Sequence, residues 1–143
     1  MMVTGRNIMR ATLAFITVAL VIVGVSGHAL AADVKDKVKV AIESVGLHPG
    51  MDPGMYVCAL GHLHIKGTVE NLAGVALGKI KVEGRAFDAD GKLLGTATAS
   101  TKQATLGPGE KAEINVEFLT VMGPRIQAVK KHEVTVVEAP TPQ

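Results

Sequence analysis

The 143-residue sequence has one cysteine, no tryptophan, one tyrosine and three phenylalanines. A single thiol cannot pair within its own chain, which excludes an internal disulfide framework and a zinc site built from several cysteines. With aromatic residues at 3%, recognition of carbohydrate through stacked rings has little to work with. Charge of one sign is equally scarce. The 15 Lys and Arg residues face 13 Asp and Glu, too even a balance for a nucleic-acid-binding stripe. The length suits one domain.

What is present begins with a long apolar run. Arg6 and Arg10 precede Ala11 to Val25, and small residues follow, ending in Ala29-Leu30-Ala31. A basic start, an apolar core and a small-residue end make the pattern of a secretory signal peptide, with cleavage expected after Ala31. An uncleaved anchor is the alternative. A spanning helix needs about 20 apolar residues, and Gly24, Ser26, Gly27 and His28 interrupt this one. Loss of residues 1–31 removes two basic and no acidic residues, leaving 13 of each. No cysteine follows the apolar run before Cys58 to carry a lipid. The mature chain is therefore expected in the periplasm or secreted, and off the membrane after cleavage.

From Asp33 onward apolar residues recur with period two, and Gly and Pro punctuate them, which predicts an all-β antiparallel sandwich of six to seven strands. Val38, Val40 and Ile42 mark a first strand, and Gly46 to Gly54, with two prolines, a loop. Tyr56 to Glu70 reads as the longest strand, with Leu63, Ile65 and Val69 on one face and Cys58, His62, His64 and Lys66 on the other. Ile80 to Phe87 and Lys92 to Ser100 flank Asp90-Gly91, a hairpin signal. Ala112, Ile114, Val116 and Phe118 alternate with charged or polar residues, and Gln127 to Val137 is expected to be the last strand. No helical segment is expected that could support a parallel sheet. The domain is expected over 32–138, with 139–143 a disordered tail.

The punctuation has a recognisable order. Gly67-x-Val69-x-Asn71 is followed by Phe87-Asp88-x-x-Gly91 with Leu94-Gly95-Thr96, then by Leu106-x-Pro108-Gly109-Glu110 and the strand Ile114-x-Val116-x-Phe118. Over Leu63 to Val137 this resembles the FxLYD domain, a small immunoglobulin-like sandwich of exported prokaryotic proteins. Where that family's run reads Phe-x-Leu-Tyr-Asp, this chain has Gly84-Arg85-Ala86-Phe87-Asp88, so smaller side chains must fill the core there. The resemblance implies an immunoglobulin-like fold and export, and brings no catalytic residues. Asn71 and Asp88 read as turn residues that bond nearby backbone amides, and Gly109 as a turn glycine with positive φ.

Catalytic patterns are lacking. Cys58 with His62 or His64 has no evident orienting Asn or Asp and no oxyanion loop, and Gly107-Pro108-Gly109 is not a phosphate loop. The chain is therefore read as no enzyme. One cluster stands out: His48, Met51, Met55, Cys58, His62 and His64 fall within seventeen residues. Thioether, thiolate and imidazole suit copper. His62 and His64, two apart on a strand, lie on one face about 7 Å apart. The ordinary reading is a polar sheet face, a small buried Cys58 and methionines covering the sandwich end. The sequence thus supports a non-enzymatic exported sandwich that binds another envelope or secreted protein through a sheet face or edge. The alternative is a periplasmic copper-binding protein using the six residues.

Overall fold

The computed structural model describes residues 33–142, so the predicted leader, 1–31, lies outside the described residues. A 3-10 turn (Lys35–Lys37) leads into seven strands: β1 (Val38–Ile42), β2 (Met55–Val57), β3 (His62–Asn71), β4 (Lys81–Phe87), β5 (Leu93–Ser100), β6 (Lys111–Met122) and β7 (Lys131–Glu138). A five-residue helix, α1 (Pro124–Ala128), lies between β6 and β7. Among the described residues no helix is long and apolar enough to cross a membrane.

The strands form two antiparallel sheets, as the period-two pattern predicts. In the first, β3 pairs on one edge with β1 and then β2, and on the other with β6. In the second, β4 lies between β5 and β7. Only the β4–β5 connection is a hairpin of the second sheet; β3 to β4, β5 to β6 and β6 to β7 all cross between sheets.

The inner faces follow from alternation. Val82, Gly84 and Ala86 of β4 are buried, as are Ala112, Ile114, Val116 and Phe118 of β6. They meet Leu63, Ile65 and Val69 of β3. Phe118 is the largest fully buried side chain, and Gly84 is what admits it. A Cβ at Gly84 would stand 2.9 Å from Phe118 Cζ and 2.8 Å from Val116 Cγ1. The core is thus filled opposite the glycine of Gly84-Arg85-Ala86-Phe87-Asp88 by a ring from the facing sheet.

The turn residues act as read. Asp88 Oδ1 accepts from the Asp90 and Lys92 amides at 2.9 Å each, Asn71 Oδ1 accepts from Ala73 N at 2.8 Å, and Gly109 has φ +75°.

Three expectations are corrected. Tyr56 to Glu70 is not one strand. The segment Cys58-Ala59-Leu60-Gly61 turns the chain back, Gly61 N bonding Cys58 O at 2.9 Å and Cys58 N bonding His62 O at 3.1 Å. Gly61 has φ +83°, the left-handed residue that closes a three-residue hairpin loop. Second, Gln127 begins no strand, because Pro124 at the first helical position starts α1 and β7 follows only at Lys131. Third, Ala139 and Pro140 do not fray: Ala139 is fully buried, its carbonyl accepts from Val34 N at 3.2 Å, and Pro140 O accepts from Gly78 N at 2.6 Å.

Candidate metal centre

The β2–β3 hairpin and the neighbouring β6 build one row of side chains across three strands. Tyr56 of β2 is directly opposite His64 of β3, and His64 is directly opposite Glu117 of β6. Residues in such register share a face, here the face away from the core, since Leu63 and Ile65 on either side of His64 point inward. Cys58 follows Tyr56 by two and so keeps the same face. The hairpin brings it back beside His64, which a single extended strand would not have done.

Cys58, His64 and Glu117 each offer one ligand atom, and these three atoms lie within 4.8 Å of one another. His64 Nε2 is 3.6 Å from Glu117 Oε1. Two such ligands at about 2.0–2.2 Å from one ion, at a tetrahedral angle, stand about 3.4 Å apart. That edge is nearly formed already. His64 is 7% exposed although it lies on the outer face, because Tyr56 stacks on its ring, with centroids 4.6 Å apart and planes 23° from parallel. Its Nε2 is buried and has no hydrogen-bond partner.

Around these three stand residues that hold them. His62 Nδ1 donates to Glu117 Oε1 at 2.9 Å. His64 Nδ1 lies 2.9 Å from Asn115 Oδ1 and 3.2 Å from the Tyr56 hydroxyl, and Asn115 Nδ2 donates to that hydroxyl at 2.7 Å. Ligating histidines and carboxylates are commonly fixed in this way by outer hydrogen bonds.

The six residues expected from sequence are therefore divided. Cys58 and His64 come together, and His62 stands beside them with its Nδ1 engaged by Glu117. His48 is elsewhere, its Nε2 bonded to Val57 O at 3.2 Å. Met55 is opposite Ile65 and packs into the core, 3% exposed. Met51 packs against the same core, and the two methionines line a cavity of about 360 Å³ with Ile126 and Val129. Glu117, Asn115 and Tyr56 were not singled out in the sequence; alternation marks the first two as outward-facing on β6, and only the register shows what they face.

The arrangement offers one thiol, one imidazole nitrogen and one carboxylate. All three are established ligand types for zinc, and imidazole and thiolate serve copper as well. No family model matches the chain, and no curated protein matches it. Among solved structures the chain is similar to a DUF1425 family member from Shewanella sp. pv-4, at 16% identity and a TM-score of 0.40, over 71% of this chain and 96% of that one.

Proposed function

We propose that this chain is a non-enzymatic exported β-sandwich that holds one divalent transition-metal ion through Cys58 Sγ, His64 Nε2 and a Glu117 carboxylate oxygen. The observation that carries this reading is the buried His64 Nε2, without a hydrogen-bond partner and 3.6 Å from Glu117 Oε1, in a residue whose ligand atom lies within 4.8 Å of those of Cys58 and Glu117. An orphaned buried nitrogen costs about 1–3 kcal/mol, a cost that a bound cation removes. With Met51 and Met55 on the core side, the donor set is nitrogen, sulfur and oxygen. It suits zinc, and copper(II) binds such a set more tightly still by the Irving–Williams order.

Export rests on the leader pattern of residues 1–31. An immunoglobulin-like reading is supported by the repeated crossing between sheets and by the FxLYD-like residues Asn71, Asp88 and Gly109, the first closing β3 and the other two in turns. The interaction-module reading has weaker support. The exposed Val45 and Leu47, Leu60, Leu72 and Val75, Leu93, and Leu119 and Met122 are spread over five different loops or strands, and exposed apolar residues scattered in ones and twos are ordinary.

The test is titration calorimetry with zinc and with copper(II) on protein expressed from the full sequence and purified reduced. One equivalent should bind to wild type and be lost in Cys58→Ser, His64→Phe and Glu117→Gln. Binding to wild type no stronger than to His64→Phe refutes the reading.

A further inference from the structure

Resting on that metal reading, we infer that Asn115 and Tyr56 are positioning residues: they lock His64 in the Nδ1–H tautomer, so that its Nε2 presents a lone pair to the ion.

With the Asn115 amide in this orientation, the chain of bonds places the proton. Asn115 Nδ2 donates to the Tyr56 hydroxyl at 2.7 Å, which turns the amide so that Oδ1 meets His64 Nδ1 at 2.9 Å. An amide oxygen only accepts. Nδ1 therefore carries the hydrogen, and in a neutral imidazole Nε2 then carries none. The nitrogen not engaged by the outer partner is the one left for a metal. Its nearest charged neighbour on this side, Glu117 Oε1 at 3.6 Å, is also an acceptor and already receives His62 Nδ1–H. A lone pair facing a carboxylate in a buried setting suits a cation.

The opposite amide orientation would reverse everything. Oδ1 would face Tyr56, Nδ2 would donate to Nδ1, and Nε2–H would point at Glu117. The site would then be a closed hydrogen-bond network with no lone pair for a metal. The two arrangements place the His64 proton on different ring nitrogens, which is measurable without any metal.

Asn115 and Tyr56 both line a cavity of about 350 Å³ with Lys66, Ser100 and Lys102, so water can enter where their side chains are cut back. Asn115→Ala is expected to fold for that reason. Asn115→Asp keeps an oxygen at Nδ1 and serves as the conservative variant.

The experiment is long-range proton–nitrogen NMR of His64 in ¹⁵N-labelled, chelator-treated full-chain protein, beside zinc titration of the same samples. Wild type and Asn115→Asp should show Nδ1–H and a bare Nε2, and Asn115→Ala should lose that preference. Zinc affinity should fall about 10–100-fold in Asn115→Ala, as for other outer-shell losses, and stay within a few-fold of wild type in Asn115→Asp. Tyr56→Phe, which keeps the stack but frees the amide, should shift the tautomer in the same direction, and decides the matter if Asn115→Ala does not fold. Nε2–H in metal-free wild type, or an unchanged tautomer in Asn115→Ala and Tyr56→Phe, overturns the inference. Nδ1–H in wild type with no zinc binding leaves the lock standing and refutes the metal reading instead.

Discussion

Replacing His64 with Phe should make the metal-free protein more stable. The substitution removes a buried nitrogen that has no partner, relieving about 1–3 kcal/mol. It keeps a ring to stack on Tyr56, now 4.6 Å away by centroid, and adds apolar area. Against this, Asn115 loses its bond to Nδ1, a loss of about 0.5–1.5 kcal/mol that water in the adjoining cavity reduces. Glu117 keeps His62 as partner. The net gain is about 1–2 kcal/mol, and each kcal/mol raises Tm by roughly 4–8 °C in a domain near this size. Urea denaturation with chelator present reads the difference directly. Adding zinc should reverse the order, because a ligand at 100 times its Kd stabilises wild type by about 2.7 kcal/mol and the variant not at all. A metal-free variant that is less stable than wild type by about 1 kcal/mol or more refutes the reasoning, since Nε2 then has a partner worth keeping. Equal zinc stabilisation of both proteins would move any binding away from His64.

Asn71→Asp should destabilise by about 2–4 kcal/mol, more than Asn71→Ala. Asp keeps the acceptor for Ala73 N but turns a carboxylate oxygen toward Val75 O and Leu106 O, which Nδ2 now bonds at 2.8 and 3.0 Å; a urea midpoint at the wild-type value would reduce Asn71 to a turn former. Gly84→Ala should cost about 1–3 kcal/mol by overpacking against Phe118 and Val116, read as a lower thermal midpoint, and an unchanged midpoint would show that the sheets can part there. Glu133 is held below its ordinary 4.5 first by the Lys131 hydrogen bond and charge, then by Arg85. A lowered native value gives stability that is present above 4.5 and fades as the pH falls through the native value; the gap between wild type and Glu133→Gln should therefore be present at about pH 7 and absent at about pH 2, and small throughout because the group is exposed. Deleting residues 139–143 should speed hydrogen exchange at Val34 and Gly78, whose amides bond Ala139 O and Pro140 O, and unchanged protection there would show those bonds to be dispensable.

Much of the sandwich is legible in the sequence because alternation and core packing are the same fact on β4 and β6. Val82, Gly84 and Ala86, and Ala112 to Phe118, are spaced by two and all point inward. The Asp88–Lys92 hairpin was equally plain, since one carboxylate and one glycine define it. The β2–β3 hairpin was obscured by its own continuity: Tyr56, Cys58, His62 and His64 keep one parity whether the chain runs on or turns back. Gly61, third in a short loop between β-branched or aromatic runs, was the available signal. Met51 and Met55 looked like ligands by proximity in sequence, but pairing with Ile65 sends Met55 to the other side of the sheet. Glu117 and Asn115 lie more than 50 residues from His64, and a sequence shows which residues face out without showing which of them meet.

The contrast among buried polar side chains then separates structure from function. Asn71 and Thr101 are as buried as any residue here, and both are satisfied: Asn71 by three bonds, Thr101 by accepting from Ile80 N and donating to Gln103 O. Each stitches a turn to the sandwich, and each would be needed for the fold whatever the protein does. His64 is the third, and among the described residues its Nε2 is the one buried side-chain nitrogen or oxygen left without a partner. Its other nitrogen is held, its ring is clamped, and Glu117 beside it is oriented by His62. A fold that satisfies its buried groups elsewhere and surrounds this one with supports keeps the exception at a cost. Local violations of that kind are expected at functional or strained sites. Glu117 Oε1 lies 3.6 Å from the exception and Cys58 completes the same cluster, and a thiol and a carboxylate can bind metal once ionised.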